Sequence, residues 1–272
     1  MSNKPKNKIY CYYYKDTFVP VNNNLYVPVM AGNAHYQSRL NIQGDDEGDS
    51  ISEKNSSFSE LTGIYWAWKN TKQEITGSCH YRRYFTAQPE PWDLRIKRSF
   101  YYLGGLYKKR YGLIYTNNVN RFTGRILTGS EIQAIFKNYD AILPQKRKLK
   151  YSVETHFSRY HDSKDLHLLE KIIGSNYPDY LPAFNKVMKS KRLYANNMFI
   201  LPETHYQQFM AWWFSVLFEF EKQIKPEVHR GYQQRIIGFI AERLLTVWFC
   251  HKELKVKELP VIYFKRLKKE GS

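Results

Sequence analysis

The stretch that decides the fold is residues 44–85, which read GDDEGDSISEKNSSFSELTGIYWAWKNTKQEITGSCHYRRYF. An acidic loop with two glycines opens it, a segment with helical spacing follows, and a strand-like segment ends it. Apolar residues of the middle segment recur at the spacing of one helix face: Phe58, Leu61, Ile64, Tyr65 and Trp68. Ser57 and Glu60 have the spacing of a capping box, so we predict one helix from about Ser57 to Asn70.

A short strand and a cationic sequence come after this helix. Ile75-Thr76-Gly77-Ser78-Cys79 is small and partly β-branched, which is typical of a buried strand. His80, Arg82 and Arg83 follow where the strand ends, and open α/β sheets bind ligands at the carboxyl ends of their strands. Because a guanidinium matches phosphate geometry, these residues predict a site for a phosphate-bearing ligand. A solvated edge or a structural ion pair is the alternative.

The acidic loop carries four carboxylates, on Asp45, Asp46, Glu47 and Asp49. Hard cations need several oxygens at a defined geometry, and the loop does not have the spacing of an EF-hand. We therefore expect a flexible loop that becomes ordered only if a ligand binds it.

The charge of the chain favours an anionic partner. Among its 272 residues, 42 Lys and Arg against 25 Asp and Glu give a net charge of +17, which suits nucleic acid, an anionic membrane or phosphate-bearing substrates. Cys11, Cys79 and Cys250 have no zinc-site spacing, and so sparse a set fits a reducing compartment. We find no signal-peptide pattern and no membrane-spanning run, so we expect a cytoplasmic protein.

Several other segments have the patterns of strands. They cover residues 9–14, 26–32, 139–144 and 194–201. Asn196 and Asn197 lead into the last of them, where they would form a turn or present donors and acceptors to hydroxyl groups.

Two long helices are predicted in the carboxyl-terminal third, over residues 209–224 and 233–249. Trp212 and Phe218 lie off the apolar stripe of the first, which leaves them for a membrane or partner contact. On the second, Arg235, Gly238 and Glu242 share one face at i, i+3 and i+7. The glycine there allows a ligand or another backbone to approach closely, and an internal Arg–Glu pair is the alternative.

Residues 92–128 have a different composition, in which basic residues alternate with aromatic ones. Such interleaving suits single-stranded nucleic acid or an acidic membrane interface. We interpret the region as an insertion that forms a mobile cover over the site; a solvated, variable excursion is the alternative. Residues 252–272 form a basic tail.

Five motifs resemble, in the same order, the set shared by a family of bacterial capsular and exopolysaccharide glycosyltransferases known as DUF4422. They are GDDEGDSISEKN (44–55), ELTGIYWAWKN (60–70), CHYRRYF (79–85), NMFI (197–200) and RIIGFIAERL (235–244). The resemblance implies an α/β fold of the GT-A type, in which one nucleotide-sugar-binding domain spans residues 1–272 and a central mixed sheet is flanked by helices. Some members of the family are β-1,3-galactofuranosyltransferases.

The resemblance also implies a set of site residues. GT-A enzymes place an Asp-x-Asp motif after such a strand to hold a divalent metal on the donor diphosphate, and here His80-Tyr81-Arg82 stands in its place. Arg82 and Arg83 would then neutralise the diphosphate directly, so no metal ligand is predicted, and a Mn²⁺ or Mg²⁺ cofactor is the alternative. The implied donor-binding residues are Lys15, Ala31, Asn55, Glu60, His80, Arg82 and Arg83. The implied sugar- and acceptor-binding residues are Asn196, Asn197 and Arg235, and the candidates for the catalytic base are Glu242 and Asp49.

The implied reaction is transfer of a hexose, galactose or galactofuranose, from a UDP-sugar to a lipid-linked oligosaccharide on polyprenyl diphosphate. The β-linkage in the family favours an inverting mechanism. The basic-aromatic insertion and the charge of +17 would hold the enzyme on the anionic inner face of the plasma membrane.

Two other classes of protein remain open at this stage. A single-stranded nucleic-acid-binding protein fits the charge and predicts strongly salt-dependent RNA binding, but it leaves the acidic loop and the HYRRY sequence unexplained. A non-catalytic scaffold of a polysaccharide assembly complex predicts that replacing Arg82 or Glu242 leaves polymer synthesis intact. We rank the transferase above both and expect no nucleic-acid partner.

Overall fold

A mixed β-sheet forms the centre of the computed structural model, which describes residues 7–36, 38–103, 112–224 and 235–267. The strands are, in chain order, β1 (Asn7–Tyr13), β2 (Tyr26–Met30), β3 (Gln43–Gly44), β4 (Ile75–His80), β5 (Arg83–Phe85), β6 (Leu113–Thr116), β7 (Ala141–Pro144), β8 (Arg147–Lys148), β9 (Arg192–Leu193), β10 (Phe199–Pro202), β11 (Val256–Leu259) and β12 (Val261–Phe264). The α-helices are α1 (Asn55–Phe58), α2 (Leu61–Asn70), α3 (Trp92–Leu103), α4 (Val119–Thr123), α5 (Gly129–Phe136), α6 (Val153–Ser158), α7 (Ser163–Asn176), α8 (Leu181–Lys189), α9 (Glu203–Gln223) and α10 (Ile236–Lys252).

The strand order across the main sheet is β11-β7-β10-β4-β1-β2-β3, while β5, β12 and β6 extend it beside β4. β1 runs parallel to β2 and β4, whereas β10 runs antiparallel to β4. The carboxyl ends of β1, β2 and β4 therefore lie at the same edge of the sheet as the start of β10. This arrangement confirms the predicted α/β fold with a central mixed sheet flanked by helices.

β1 is buried on both of its faces. Tyr10 and Tyr12 enter an apolar cluster with the long helices, and the alternate residues Ile9, Cys11 and Tyr13 enter a second cluster on the other side. A strand covered on both sides has an almost continuous apolar sequence, which explains the composition of β1.

Aromatic packing fixes the two long helices against the sheet. Phe209 and Trp213 of α9 stack with ring centroids 4.7 Å apart, and the indole N–H of Trp213 donates to the carbonyl of Ala241 in α10. Trp212, which was predicted to stay open for a partner, is instead buried because it stacks on Tyr180. The predicted partner contact of Phe218 is also wrong in part, because that ring packs against the core.

The predicted single helix from Ser57 to Asn70 is broken in the structure. Ser59 has a φ of 54°, which separates α1 from α2, and Glu60 becomes the residue that precedes α2. The predicted capping box is absent because the Ser57 hydroxyl donates to the carbonyl of Lys54. The Asn55 amide holds the break, since it donates to the Ser59 carbonyl and to the Thr62 hydroxyl.

The acidic loop is held in place by one of its own carboxylates, which differs from the flexible loop that we expected. Asp45 is fully buried and accepts hydrogen bonds from the backbone N–H groups of Gly32 and Asn33, at 2.9 and 3.0 Å, and from the Ser52 hydroxyl. Gly32 has a φ of 76°, and a Cβ there would lie 2.4 Å from Cγ of Asn55. The loop therefore joins the end of β2 to the start of α1.

The region interpreted as an insertion contributes to the main sheet. β6 lies within residues 92–128 and pairs with β12, which itself lies in the basic tail. Residues 104–111 and 268–272 of these two regions lie outside the described residues. In the part of the chain that the structure describes, no helix is long and apolar enough to cross a membrane.

We predict that Asp45→Ala lowers the free energy of unfolding by roughly 2–4 kcal/mol, because it leaves the buried N–H of Gly32 and the partly buried N–H of Asn33 without an acceptor. Urea titration followed by circular dichroism measures the change. Asp46→Ala is the matched control, since Asp46 is exposed and makes one side-chain hydrogen bond, to Asn33. Equal effects of the two substitutions would contradict the role assigned to Asp45.

Candidate functional site

A cavity of about 520 Å³ lies at the edge of the sheet where β1, β2 and β4 end. Nine of the twelve predicted site residues line it: Ala31, Asn55, Glu60, His80, Arg82, Arg83, Asn196, Arg235 and Glu242. Within the described part of the chain, no residue of 92–128 lines it, so the predicted cover is not seen there. The volume is in the range of sites that hold small-molecule ligands.

Strand register brings these residues together. Tyr12 of β1 lies opposite His80 at the end of β4, and Arg82 and Arg83 follow immediately. Because β10 is antiparallel to β4 with Phe199 opposite Ser78, the residues just before β10 reach the same edge. The first turns of α10 close the cavity on the remaining side.

Arg82 and Arg83 form the cationic wall of the cavity. Their guanidinium carbons lie 4.8 and 5.1 Å from the ring centroid of Tyr263, a cation–π geometry that holds both groups. The Nε atom of each is buried and has no hydrogen-bond partner. Among the residues that the structure describes, no carboxylate lies within ion-pair distance of either guanidinium. The wall therefore presents two positive charges that no carboxylate of the described residues pairs with.

Arg235 supplies a third guanidinium, but this one is partly engaged. Its Nε donates to the Ser59 hydroxyl at 2.9 Å, and its Nη2 lies 3.9 Å from a carboxylate oxygen of Glu60. Arg235, which precedes α10, is thus attached to the break between α1 and α2.

His80 is a neutral imidazole in these surroundings. Burial lowers the pKa of His80 well below its usual value, and the guanidiniums of Arg83, Arg82 and Arg235 lower it further. Its Nδ1 atom is buried without a hydrogen-bond partner. A neutral ring nitrogen can accept or donate a hydrogen bond to a ligand without adding charge.

Two carboxylates hold the asparagine pair. Glu242 accepts a hydrogen bond of 2.8 Å from the backbone N–H of Asn196, and Glu60 accepts one of 3.0 Å from the side-chain amide of Asn197. Both asparagines have positive φ, 79° and 48°, which asparagine tolerates better than most residues. The Ser78 hydroxyl donates to the carbonyl of Asn197 and ties the turn to β4.

Three predicted site residues do not line the cavity. Asn197 is buried behind it, where it contacts Glu60, so it positions the wall. Lys15 is exposed, with its ammonium 5.6 Å from the ring centroid of Tyr14.

Asp49, one of the two candidates for the base, lies near the other end of α2 from Glu60. Its carboxylate accepts from the Tyr65 hydroxyl and lies 3.6 Å from the Lys69 ammonium, while its backbone N–H donates to Asn70. Asp49 and Glu60 are near each other in sequence but not in space, because α2, which is roughly 15 Å long, lies between them.

Sequence reasoning missed several residues that line the cavity. Tyr14 is half exposed there, and a hydrogen bond with the Tyr81 hydroxyl, together with nearby cations, lowers the pKa of Tyr14. Phe239 also lines the cavity, next to Gly238, and the helical spacing from Arg235 could have revealed it. Arg243 was missed too, and it lies behind Glu242, with Nη1 3.5 Å from that carboxylate.

The donor set of the cavity does not fit a divalent cation. In the described residues, no group of three His, Cys, Asp or Glu side chains converges on one point. Glu60 and Glu242 are the carboxylates that line the cavity, and each is already engaged, with Asn197 and Asn196 respectively. Three arginines line the same cavity, and a guanidinium is not an oxygen ligand of the kind that such cations require.

Comparisons with known proteins agree with this architecture. A family model described as Domain of unknown function (DUF4422) matches residues 8–253. Among solved structures, the chain is similar to one titled as the apo structure of the bifunctional glycosyltransferase WbbM, with 26% identity and a TM-score of 0.82. The similarity covers 98% of this chain and 47% of that chain, so this chain spans less than half of that protein's length. No curated protein matches.

We predict that His80→Gln removes part of the loss of stability on acidification. In the unfolded chain His80 titrates near its usual pKa of 6.5, but the native imidazole has a lowered pKa. As the pH falls below 6.5, the unfolded state binds a proton that the native state does not bind. The free energy of unfolding therefore decreases, by at most about 1.4 kcal/mol per pH unit from this group.

Urea titrations between about pH 7 and pH 5 measure this difference, and the wild type should lose more stability than His80→Gln. His167→Gln is the control, because His167 is exposed on α7. Parallel pH profiles of the wild type and His80→Gln would show that His80 is not held neutral.

Proposed function

Because the chain belongs to the DUF4422 family, we propose that it is a glycosyltransferase whose donor site is the cavity at the strand ends. The observation that supports this most is the pair of guanidiniums of Arg82 and Arg83, which line that cavity without a carboxylate partner in the described residues. The similarity to a protein titled as a glycosyltransferase agrees with the assignment.

The donor in this proposal is a UDP-hexose, with galactose or galactofuranose as the transferred sugar. Arg82 and Arg83 would bind the diphosphate, with their positions set by the ring of Tyr263. Negative charge grows on the diphosphate as the sugar leaves, and cations that are already in place stabilise that charge without reorganisation. The two arginines would thus do by direct contact what a metal ion does elsewhere.

Glu242 is the base in this proposal. It would take the proton of the acceptor hydroxyl while that oxygen attacks the anomeric carbon, and the bond from this carbon to the UDP oxygen breaks with its electrons going to UDP. Such a displacement inverts the anomeric centre. The hydrogen bond from Asn196 and the nearby guanidinium of Arg243 orient the carboxylate. Glu60 is engaged in a similar way, by Asn197 and Arg235, and its role in this proposal is to hold the asparagine turn.

The acceptor in this proposal is a lipid-linked oligosaccharide on polyprenyl diphosphate, used in the synthesis of a bacterial surface polysaccharide. The net charge of +17 supports a reaction at an anionic membrane surface. The same charge and the interleaved aromatic residues of 92–128 support the nucleic-acid alternative. That alternative leaves the arrangement of Glu60, Glu242 and the asparagine turn without a role.

We predict that UDP, UDP-galactose or UDP-galactofuranose raises the melting temperature of the wild type, in EDTA as well as with Mn²⁺. A ligand that binds only the native state stabilises it by mass action. Arg82→Ala should weaken UDP binding by roughly tenfold to a hundredfold, because a charge-assisted contact to the diphosphate is lost. Calorimetric titration measures the affinity.

Arg192→Ala is the matched control for that experiment, because it removes the same charge from an exposed position on β9. A response to UDP only with Mn²⁺ would contradict the metal-free part of the proposal. No response to any nucleotide, together with tight and salt-dependent RNA binding, would contradict the transferase itself.

For the base, we predict that Glu242→Gln lowers kcat by about 10²- to 10⁴-fold while UDP affinity stays unchanged. Glutamine can still accept the hydrogen bond from Asn196 but cannot remove a proton. Glu60→Gln should lower kcat by less than about tenfold, because an amide can keep the contacts to Asn197 and Arg235 only in part. Transfer assays with a UDP-hexose and a lipid-linked acceptor distinguish the two variants. Equal losses would assign the two carboxylates a shared structural role.

A further inference from the structure

Helix α3 carries a stripe of large apolar side chains on its outer face. Trp92, Ile96 and Phe100 are 73%, 48% and 72% exposed, and they recur at i, i+4 and i+8. Half of the exposed large apolar residues of the described chain therefore lie on this one helix, the other three being Tyr14, Tyr36 and Tyr160. A concentration of this kind marks an interaction surface.

The opposite face of α3 is attached to the body of the protein. Leu94 packs against the apolar cluster on its side of the sheet, roughly 160° around the helix from the centre of the stripe. The Arg121 guanidinium forms a bidentate ion pair with the Asp93 carboxylate, with N–O distances of 2.7 and 2.8 Å. In addition, the Arg125 guanidinium donates to the carbonyl of Pro89, just before the helix. These contacts fix the rotation of α3, so the stripe points away from the protein.

The charge around the stripe is mainly positive, because Asp93, the one acidic residue of α3, is paired with Arg121. Residues 94–130 contain eight lysines and arginines and no aspartate or glutamate. Arg95 and Lys97 belong to this set and are exposed on α3 itself. Tryptophan and phenylalanine beside lysine and arginine make up the composition of helices that lie in the interface of an anionic bilayer.

The size of the stripe argues against a second protein surface. It is two turns long, about 12 Å, whereas a stable protein interface buries about 800 Å² on each partner. Lipid needs no such area, because each apolar side chain can enter the acyl boundary separately while cations contact the phosphates.

We propose that α3 lies in the headgroup region of an anionic lipid bilayer, with Trp92, Ile96 and Phe100 in the acyl boundary and Arg95 and Lys97 at the lipid phosphates. The surface is separate from the cavity, since none of the described side chains of α3 lines it. This binding does not depend on the sugar donor. It adds to the proposed function by bringing the transferase to the surface that holds a lipid-linked acceptor.

Co-sedimentation with phosphatidylglycerol and with phosphatidylcholine vesicles tests this proposal. The wild type should bind the anionic vesicles and release them as salt is raised. Trp92→Ser combined with Phe100→Ser should weaken that binding by about tenfold or more, because two aromatic side chains no longer enter the bilayer. UDP-induced stabilisation of the same variant should remain, which separates this test from a failure of the donor site.

Tyr160→Ser is the matched control, because it removes an exposed aromatic residue far from α3 in sequence. Brominated lipid should quench part of the tryptophan fluorescence in the wild type, and Trp92→Phe should lose that quenching while still binding vesicles. Equal vesicle binding by the wild type and the double variant would overturn the proposal in favour of charge alone. Light scattering tests the remaining possibility. If the wild type is a dimer that does not bind vesicles, and the double variant is a monomer, the stripe contacts a second copy of the chain.

Discussion

The turn before β10 is the constraint on which the cavity depends. Asn196 and Asn197 both adopt left-handed backbone conformations, and carboxylates from distant parts of the chain hold them there. Glu242 is 46 residues from Asn196, and Glu60 is 137 residues from Asn197. The two contacts tie β10 to α10 and to α2, while Ser78 ties the same turn to β4. The cavity therefore exists only when the sheet and both helices are in place.

The same contacts set the charge of the site. Glu60 and Glu242 line the same cavity and hold the turn, and in the described residues neither lies within ion-pair distance of Arg82 or Arg83. The ring of Tyr263 holds these guanidiniums without cancelling their charge. The lowered pKa of His80 has the same origin, because burial and positive neighbours both oppose protonation. Because its unpaired side chains are positively charged, the cavity favours a ligand that carries negative charge, such as a diphosphate.

Much of this site could be predicted from sequence because the relevant signals are local. The end of β4 at His80 follows from a β-branched run, and the shared face of Arg235 and Glu242 follows from helical spacing. The predictions that failed depend on particular side-chain contacts that apolar periodicity does not describe. The break at Ser59 depends on the side chain of Asn55 reaching Thr62, and Asp49 is drawn to the far end of α2 by Tyr65 and Lys69.

By itself, the sequence determined the strands that end at the cavity and the cationic chemistry available there, because residue type and periodicity act over a few neighbouring positions. The α/β class was implied by the resemblance of its motifs to a known family. Only the tertiary structure decided which carboxylates face the cavity, which asparagine is buried behind it, and which face of α3 is left exposed. Those outcomes depend on strand register and on contacts between segments far apart in the chain, and no local pattern encodes them.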